Sequence, residues 1–216
     1  DRLLDQQETD DASMATGQFP KDFGGGTGDL NMALFNLPNL IAIRESGGHR
    51  MPDDLRNRLD DAVRLAIVAA QRRWDEEIFD RLRDHKAYTN IFLLYIRAFL
   101  LGGRHRNEER LVRSARAQWK RWLGHIAYTG IDEFVSDYYD VDYEALLQIH
   151  AAMPEVPARR QVARVLDHLA AVQHAVTHPV LKLPVCGSAR TYRRFLNGES
   201  REGRCIVDAA SADTVS

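Results

Sequence analysis

Cysteine is almost absent from this chain: Cys186 and Cys205 are the only two in 216 residues, and both lie near the C-terminal end. Two thiols cannot staple a fold of this length, so a disulfide framework is excluded and stability must come from a buried core. The sequence leaves open whether the two are bonded to each other, and two cysteines alone do not make a metal centre. Long apolar runs are also lacking. The longest, Ile91 to Leu101, contains Arg97 and falls short of the roughly 20 residues that span a bilayer. It reads as a buried helix, and no membrane partner is expected.

An excess of one charge is missing too. With 29 Lys and Arg against 31 Asp and Glu, the formal net charge is -2, which argues against a dedicated polyanion binder, and no nucleic-acid partner is expected. No strand-like alternation runs through the main body, and neither a dinucleotide fingerprint nor a Gly-x-Ser-x-Gly nucleophile elbow is present. The triple glycine at Gly24 to Gly26 is not followed by Gly-Lys-Ser/Thr, so a phosphate loop is not expected there. Nothing near Asp1 has the basic-then-apolar order of a signal peptide, and localisation stays open.

What remains is a composition of 44% hydrophobic and 28% charged residues, which is that of an ordinary globular protein. Residues 1–26 read as a flexible N-terminal arm, 27–178 as a helical domain and 179–216 as an irregular C-terminal tail. Leu30, Ala33, Leu34, Leu37, Leu40 and Ile41 share one helical face, which Pro38 is expected to kink or divide. Pro52, Asp53 and Asp54 then open a long amphipathic helix through Leu55, Leu59, Val63, Ile67, Trp74 and Leu82. Thr89 starts a helix that is apolar all round, with Gly102 and Gly103 expected to end it.

The next helix buries Leu111, Val112, Ala115, Trp119, Trp122 and Leu123. Its opposite side carries Arg106, Arg110, Arg113, Arg116, Lys120 and Arg121, and the tryptophans lie on the apolar face, so this basic stripe is expected to be a solvated outer face. A helix near 140–153 directs Val141, Ala145, Leu146, Ile149 and Met153 inward. Pro154 and Pro157 separate it from a last helix whose core face is Val162, Val165, Leu166, Leu169, Val172 and Val176. His174 and His178 are four apart but lie opposite that face, and no Glu follows His174 as in zincins, so no metal or other cofactor is expected. The fold class is all-α, with helices in the rhythm of stacked hairpins, either a curved array or a toroid.

One stretch departs from this helical scaffold. Gly130 to Glu144 reads GIDEFVSDYYDVDYE: Asp132, Glu133, Asp137, Asp140, Asp142 and Glu144 alternate with Phe134, Tyr138, Tyr139 and Tyr143, without Lys or Arg. Carboxylates beside phenols suit proton transfer and sugar binding. The same residues also fit a structural reading, with Glu133 bracing a helix end and the tyrosines acting as packing wedges.

Ala87-Tyr88-Thr89-Asn90-Ile91 opens a buried helix, and the stretch from Gly130 to Tyr139 follows about forty residues later. Together, over roughly residues 27–153, they resemble the six-hairpin (α/α) toroid family, in which a Tyr-Thr-Asn helix start and a Glu-Phe/Tyr-x-Ser-x-x-Tyr loop recur. Where the family loop reads Asn-Ser-Pro this chain has Val135, Ser136 and Asp137, and it supplies about half the helices of a closed ring.

The resemblance implies a relation to enzymes that cut polysaccharides, by hydrolysis or by elimination at uronates. A glycan-directed protein, with a polysaccharide or oligosaccharide as ligand, is therefore expected. Glu133, Asp137 and Tyr139 are the catalytic candidates, and Tyr88, Asn90, Ser136, Asp132 and Tyr138 the substrate-binding candidates. Hydrolysis needs a protonated and an ionised carboxyl, for which Glu133 with Asp137, or Asp132 with a carboxylate elsewhere, qualifies. Elimination needs a base such as Tyr139 or His125 and an amide such as Asn90 to steady the enolate. The alternative is a non-enzymatic helical scaffold that keeps the fold without the chemistry, self-associating or taking a partner chain to complete the ring.

Overall fold

The computed structural model describes residues 3–10, 13, 15–20, 30–75, 89–130 and 138–180. Among them are six α-helices and two single turns of 3-10 helix, and no strand. The helices are α1 (Met32–Gly47), α2 (Asp53–Arg73), α3 (Thr89–His105), α4 (Glu109–Thr129), α5 (Tyr139–Ala152) and α6 (Val156–Val176). The all-helical fold class therefore stands for the described residues. Gly24 to Gly26, Ile78, Leu82, Cys186 and Cys205 lie outside them.

Backbone contacts divide the chain into two units, one formed by 1–87 and 94–124, the other by 88–93 and 125–216. In the first unit α1 and α2 pack on each other, burying Leu34, Leu37, Leu40 and Ile41 against a stripe that includes Leu59, Val63, Ala66, Ile67 and Ala70. Each large side chain so buried contributes about 1.5–3 kcal/mol. Trp74 meets Tyr95 and Phe99 of α3 edge-on, with ring centroids 5.1 and 6.2 Å away. The fully buried Trp119 and Trp122 of α4 lie 5.2 Å apart. In the second unit α5 packs on α6.

Two expectations about helix breakers are corrected. α1 runs through Pro38 as one element. Proline removes the hydrogen bond to the carbonyl four residues back, here that of Leu34, and the buried Arg97 of α3 donates to that oxygen at 2.8 Å. Nor do Gly102 and Gly103 end α3, which continues to His105. A Cβ on Gly102 would lie 2.8 Å from Ile67 Cδ1, and one on Gly103 2.9 Å from Val112 Cγ2. These glycines permit close helix packing. The actual stop is Asn107 at φ 56°, with Glu108 N–H donating to Gly103 O at 2.8 Å and Asn107 N–H to Arg104 O at 3.3 Å, a Schellman arrangement.

Described residues of the N-terminal lead-in bond to α1 and α2. Phe19 is fully buried. Gln7 Nε2 donates to the carbonyls of Gly17 and of Ala62 in α2, at 3.1 and 3.0 Å. Gln18 Oε1 accepts the N–H of Ala33 at 2.9 Å, one of the donors a helix start leaves unsatisfied. Gly17 holds φ +82° directly against the Leu65 carbonyl, where no other residue would fit.

Candidate functional site

Of the sequence-derived site residues, Asn90, Tyr138 and Tyr139 are described; Tyr88, Asp132, Glu133, Ser136 and Asp137 lie outside the described residues. Asn90 sits in the first turn of α3, and Tyr138 and Tyr139 at the start of α5. All three belong to the second unit.

The start of α5 is set by Tyr138, whose carbonyl accepts the Asp142 N–H at 2.9 Å. Asp140 and Asp142 in the first turn complement the positive end of the helix dipole. Tyr139 and Tyr143, one turn apart on a common face, stack with ring centroids 5.8 Å apart and planes 17° from parallel. Tyr139 is 4% exposed, and its hydroxyl is buried with no hydrogen-bond partner. Burial above all, and then the neighbouring Tyr143 and Asp140, push its pKa well above the ordinary phenolic value. The phenol therefore keeps its proton at neutral pH. It is a hydrogen-bond donor there, and its surroundings oppose the phenolate that an eliminating base would have to be.

Asn90 presents the complementary feature. It is 2% exposed, and its Oδ1 is a buried acceptor without a partner. Asn90 Oδ1 and the Tyr139 hydroxyl are thus a buried acceptor and a buried donor of the second unit, and they are not alone there: Gln148 Oε1 is likewise buried and unsatisfied. His125, the other candidate base, is half-buried near the end of α4.

Asp142 is the residue that sequence reasoning did not single out. It is completely buried and lies three residues after Tyr139, on the face that continues through Ala145, Leu146 and Ile149. Val141, expected to point inward, is only half-buried. At 100° per residue Asp142 falls in the middle of the inward face and Val141 well off it. The periodicity contained that answer, and choosing the apolar neighbour over the acid concealed it.

On α6, His168 and His174 are exposed. Val162, Val165, Leu166 and Leu169 are buried as expected, whereas Gln173 rather than Val172 or Val176 completes the buried face. Among the described residues no three His, Cys, Asp or Glu side chains gather to hold a metal ion, and no described helix is long and apolar enough to cross a membrane. Compared with protein-family models, with curated proteins and with solved structures, the chain matches none.

Proposed function

We propose that this is a glycan-directed protein built on part of an (α/α) toroid, with its ligand site between the start of α3 and the acidic aromatic stretch 130–144. The observation that carries this reading is that two of its candidate residues each bury an unsatisfied atom in one unit, Asn90 Oδ1 and the Tyr139 hydroxyl. A buried polar group without a partner costs about 1–3 kcal/mol, and native folds rarely tolerate it without a role. A sugar hydroxyl both donates and accepts, so a polyhydroxylated ligand suits both the amide oxygen and the phenol.

In this reading Glu133 and Asp137 are the carboxyl pair of a hydrolytic reaction. Tyr139 acts as a neutral donor, and Tyr88, Asp132, Ser136 and Tyr138 complete the binding surface. Elimination with Tyr139 as base is the weaker branch, because its burial holds the phenol protonated.

The second reading, a scaffold without catalysis, is favoured by the closure of Asn90 and Tyr139 from solvent. It is also favoured by the exposed apolar side chains of Leu147 on α5 and Val156 at the start of α6, where further helices or a second copy would pack. Incubation with a panel of neutral and uronate-containing polysaccharides separates the two. The glycan reading expects binding or cleavage that Asn90→Ala and Tyr139→Phe weaken, with turnover lost in Glu133→Gln. No binding across the panel, with self-association in sedimentation, establishes the scaffold.

A further inference from the structure

Beyond its first residue, the exposed Glu109, α4 has an outer face of one sign. From Arg110 to Gly130 the chain contains no Asp or Glu, and Arg110, Arg113, Lys120 and Arg121 are all exposed. Among the described residues, no ion pair joins Arg110, Arg113 or Lys120 to a carboxylate. The buried side of the helix, Leu111, Val112, Ala115, Trp119 and Trp122, lies diametrically opposite.

The same unit supplies a comparison. The outer face of α2 alternates Asp54, Arg58, Asp61 and Arg64, with Arg64 paired to Asp61 at 3.5 Å and Arg58 paired to Asp5. That is how a solvated face is laced. On α4, Glu109 stands four residues before Arg113, but Arg110 and Arg113 are like charges at helical-neighbour spacing, which destabilises a helix left in water.

The geometry of the face narrows the partner. Arg113 and Lys120 are seven residues apart and form one column along the helix; Arg110, Ala117 and Gly124 form the adjacent one. Ala117 and Gly124 are exposed, and a Cβ placed on Gly124 meets nothing within 4 Å. A cationic column beside one that beyond Arg110 carries only Ala117 and Gly124 lets another helix approach closely there while its carboxylates reach the cations, a rung recurring about every 10 Å. The tryptophans are buried and Tyr128 is the one exposed aromatic side chain of the helix, so the face offers a single stacking platform where single-stranded nucleic acids use successive ones. The net charge of -2 also denies a duplex the attractive field that nucleic-acid-binding domains present.

We propose that the exposed face of α4 docks an acidic helix of a partner protein, with Arg113 and Lys120 paired to carboxylates at seven-residue spacing and Ala117 and Gly124 providing the contact between the helices.

The test uses the full chain and synthetic helical peptides with Glu at seven-residue intervals, against a scrambled helical peptide of identical composition. Binding is followed by fluorescence anisotropy at about 0.15 M salt, where long-range attraction is screened. The matched peptide should bind about tenfold more tightly or better. Arg113→Glu with Lys120→Glu should abolish that preference, and the neutral pair Arg113→Gln with Lys120→Gln should weaken it. Ala117→Trp should abolish it with no change in charge, whereas Arg64→Glu on α2 should leave it intact. Circular dichroism establishes that each variant is folded. Equal binding of the scrambled peptide overturns the proposal, as does no binding of the matched one. Capture of a polyuronate or of duplex DNA that is lost in Arg113→Glu with Lys120→Glu but untouched by Ala117→Trp overturns it too, because the face would then be a general anion surface.

Discussion

Arg97 donates through Nη2 to the carbonyl of Leu34 at 2.8 Å, the oxygen to which residue 38 would donate if it were not proline. A buried cation and a helix-interior proline, each unfavourable alone, thus answer one another across α1 and α3. Arg97→Met should lower stability by about 1.5–3 kcal/mol. In a Pro38→Ala background, where an N–H is restored to Leu34 O, the same change should cost about 1 kcal/mol less. Urea unfolding of the four proteins measures this coupling, and additive losses would show that Arg97 acts elsewhere.

Gly103 and Gly124 should respond to alanine with opposite signs. A Cβ on Gly103 comes within 3.0 Å of the Val112 backbone nitrogen, whereas one on Gly124 meets open space. Gly103→Ala should destabilise by about 1–3 kcal/mol through overpacking. Gly124→Ala should stabilise by about 0.5–1 kcal/mol through helix propensity. Thermal melts that rank the two in the same direction would contradict the close contact of α3 and α4.

Tyr139→Phe separates a ligand group from a structural one. It deletes an unpaired buried hydroxyl, so the free protein should gain about 1 kcal/mol while glycan binding falls. A loss of stability instead would mean that the hydroxyl has a structural partner.

The same phenol makes an alkaline prediction. Its folded pKa is raised above the ordinary value, so its contribution to stability is fully present below the unfolded pKa of about 10. Above that pH the unfolded chain releases a proton that the native state retains, and stability falls toward the folded pKa by about 1.4 kcal/mol per pH unit. Unfolding free energies from pH 9 to about 11 should decline less steeply in Tyr139→Phe.

Gly17→Ala should undock the lead-in. The positive φ and the contact with the Leu65 carbonyl together make the substitution cost about 1–3 kcal/mol or more. Limited proteolysis should then cut before residue 30 faster than in the parent protein.

Much of the helical scaffold was legible beforehand, because apolar residues at three-and-four spacing mark one face of a helix whatever it packs against. The inward faces of α1, α2 and α4 follow that spacing closely. Errors arose where one residue type serves two purposes. Glycine marks helix ends and also close packing, and Gly102 and Gly103 serve the second purpose. An acid normally marks an outer face, and Asp142 is buried. The Asn90 and Tyr139 segments were read together through a family pattern, but their burial and unsatisfied atoms were not visible in it.

The sequence alone therefore determined the all-helical class, the start of each described helix to within a few residues, and the one-sided charge of α4, since all of these are local or periodic properties. The tertiary structure decided what those residues face: the Arg97 contact that replaces the bond lost at Pro38, the anchoring of the lead-in by Gln7 and Gln18, and the desolvation that keeps Tyr139 protonated. These depend on segments far apart in the chain, whose meeting no local pattern encodes, and on exclusion of water, which is a property of the assembled core.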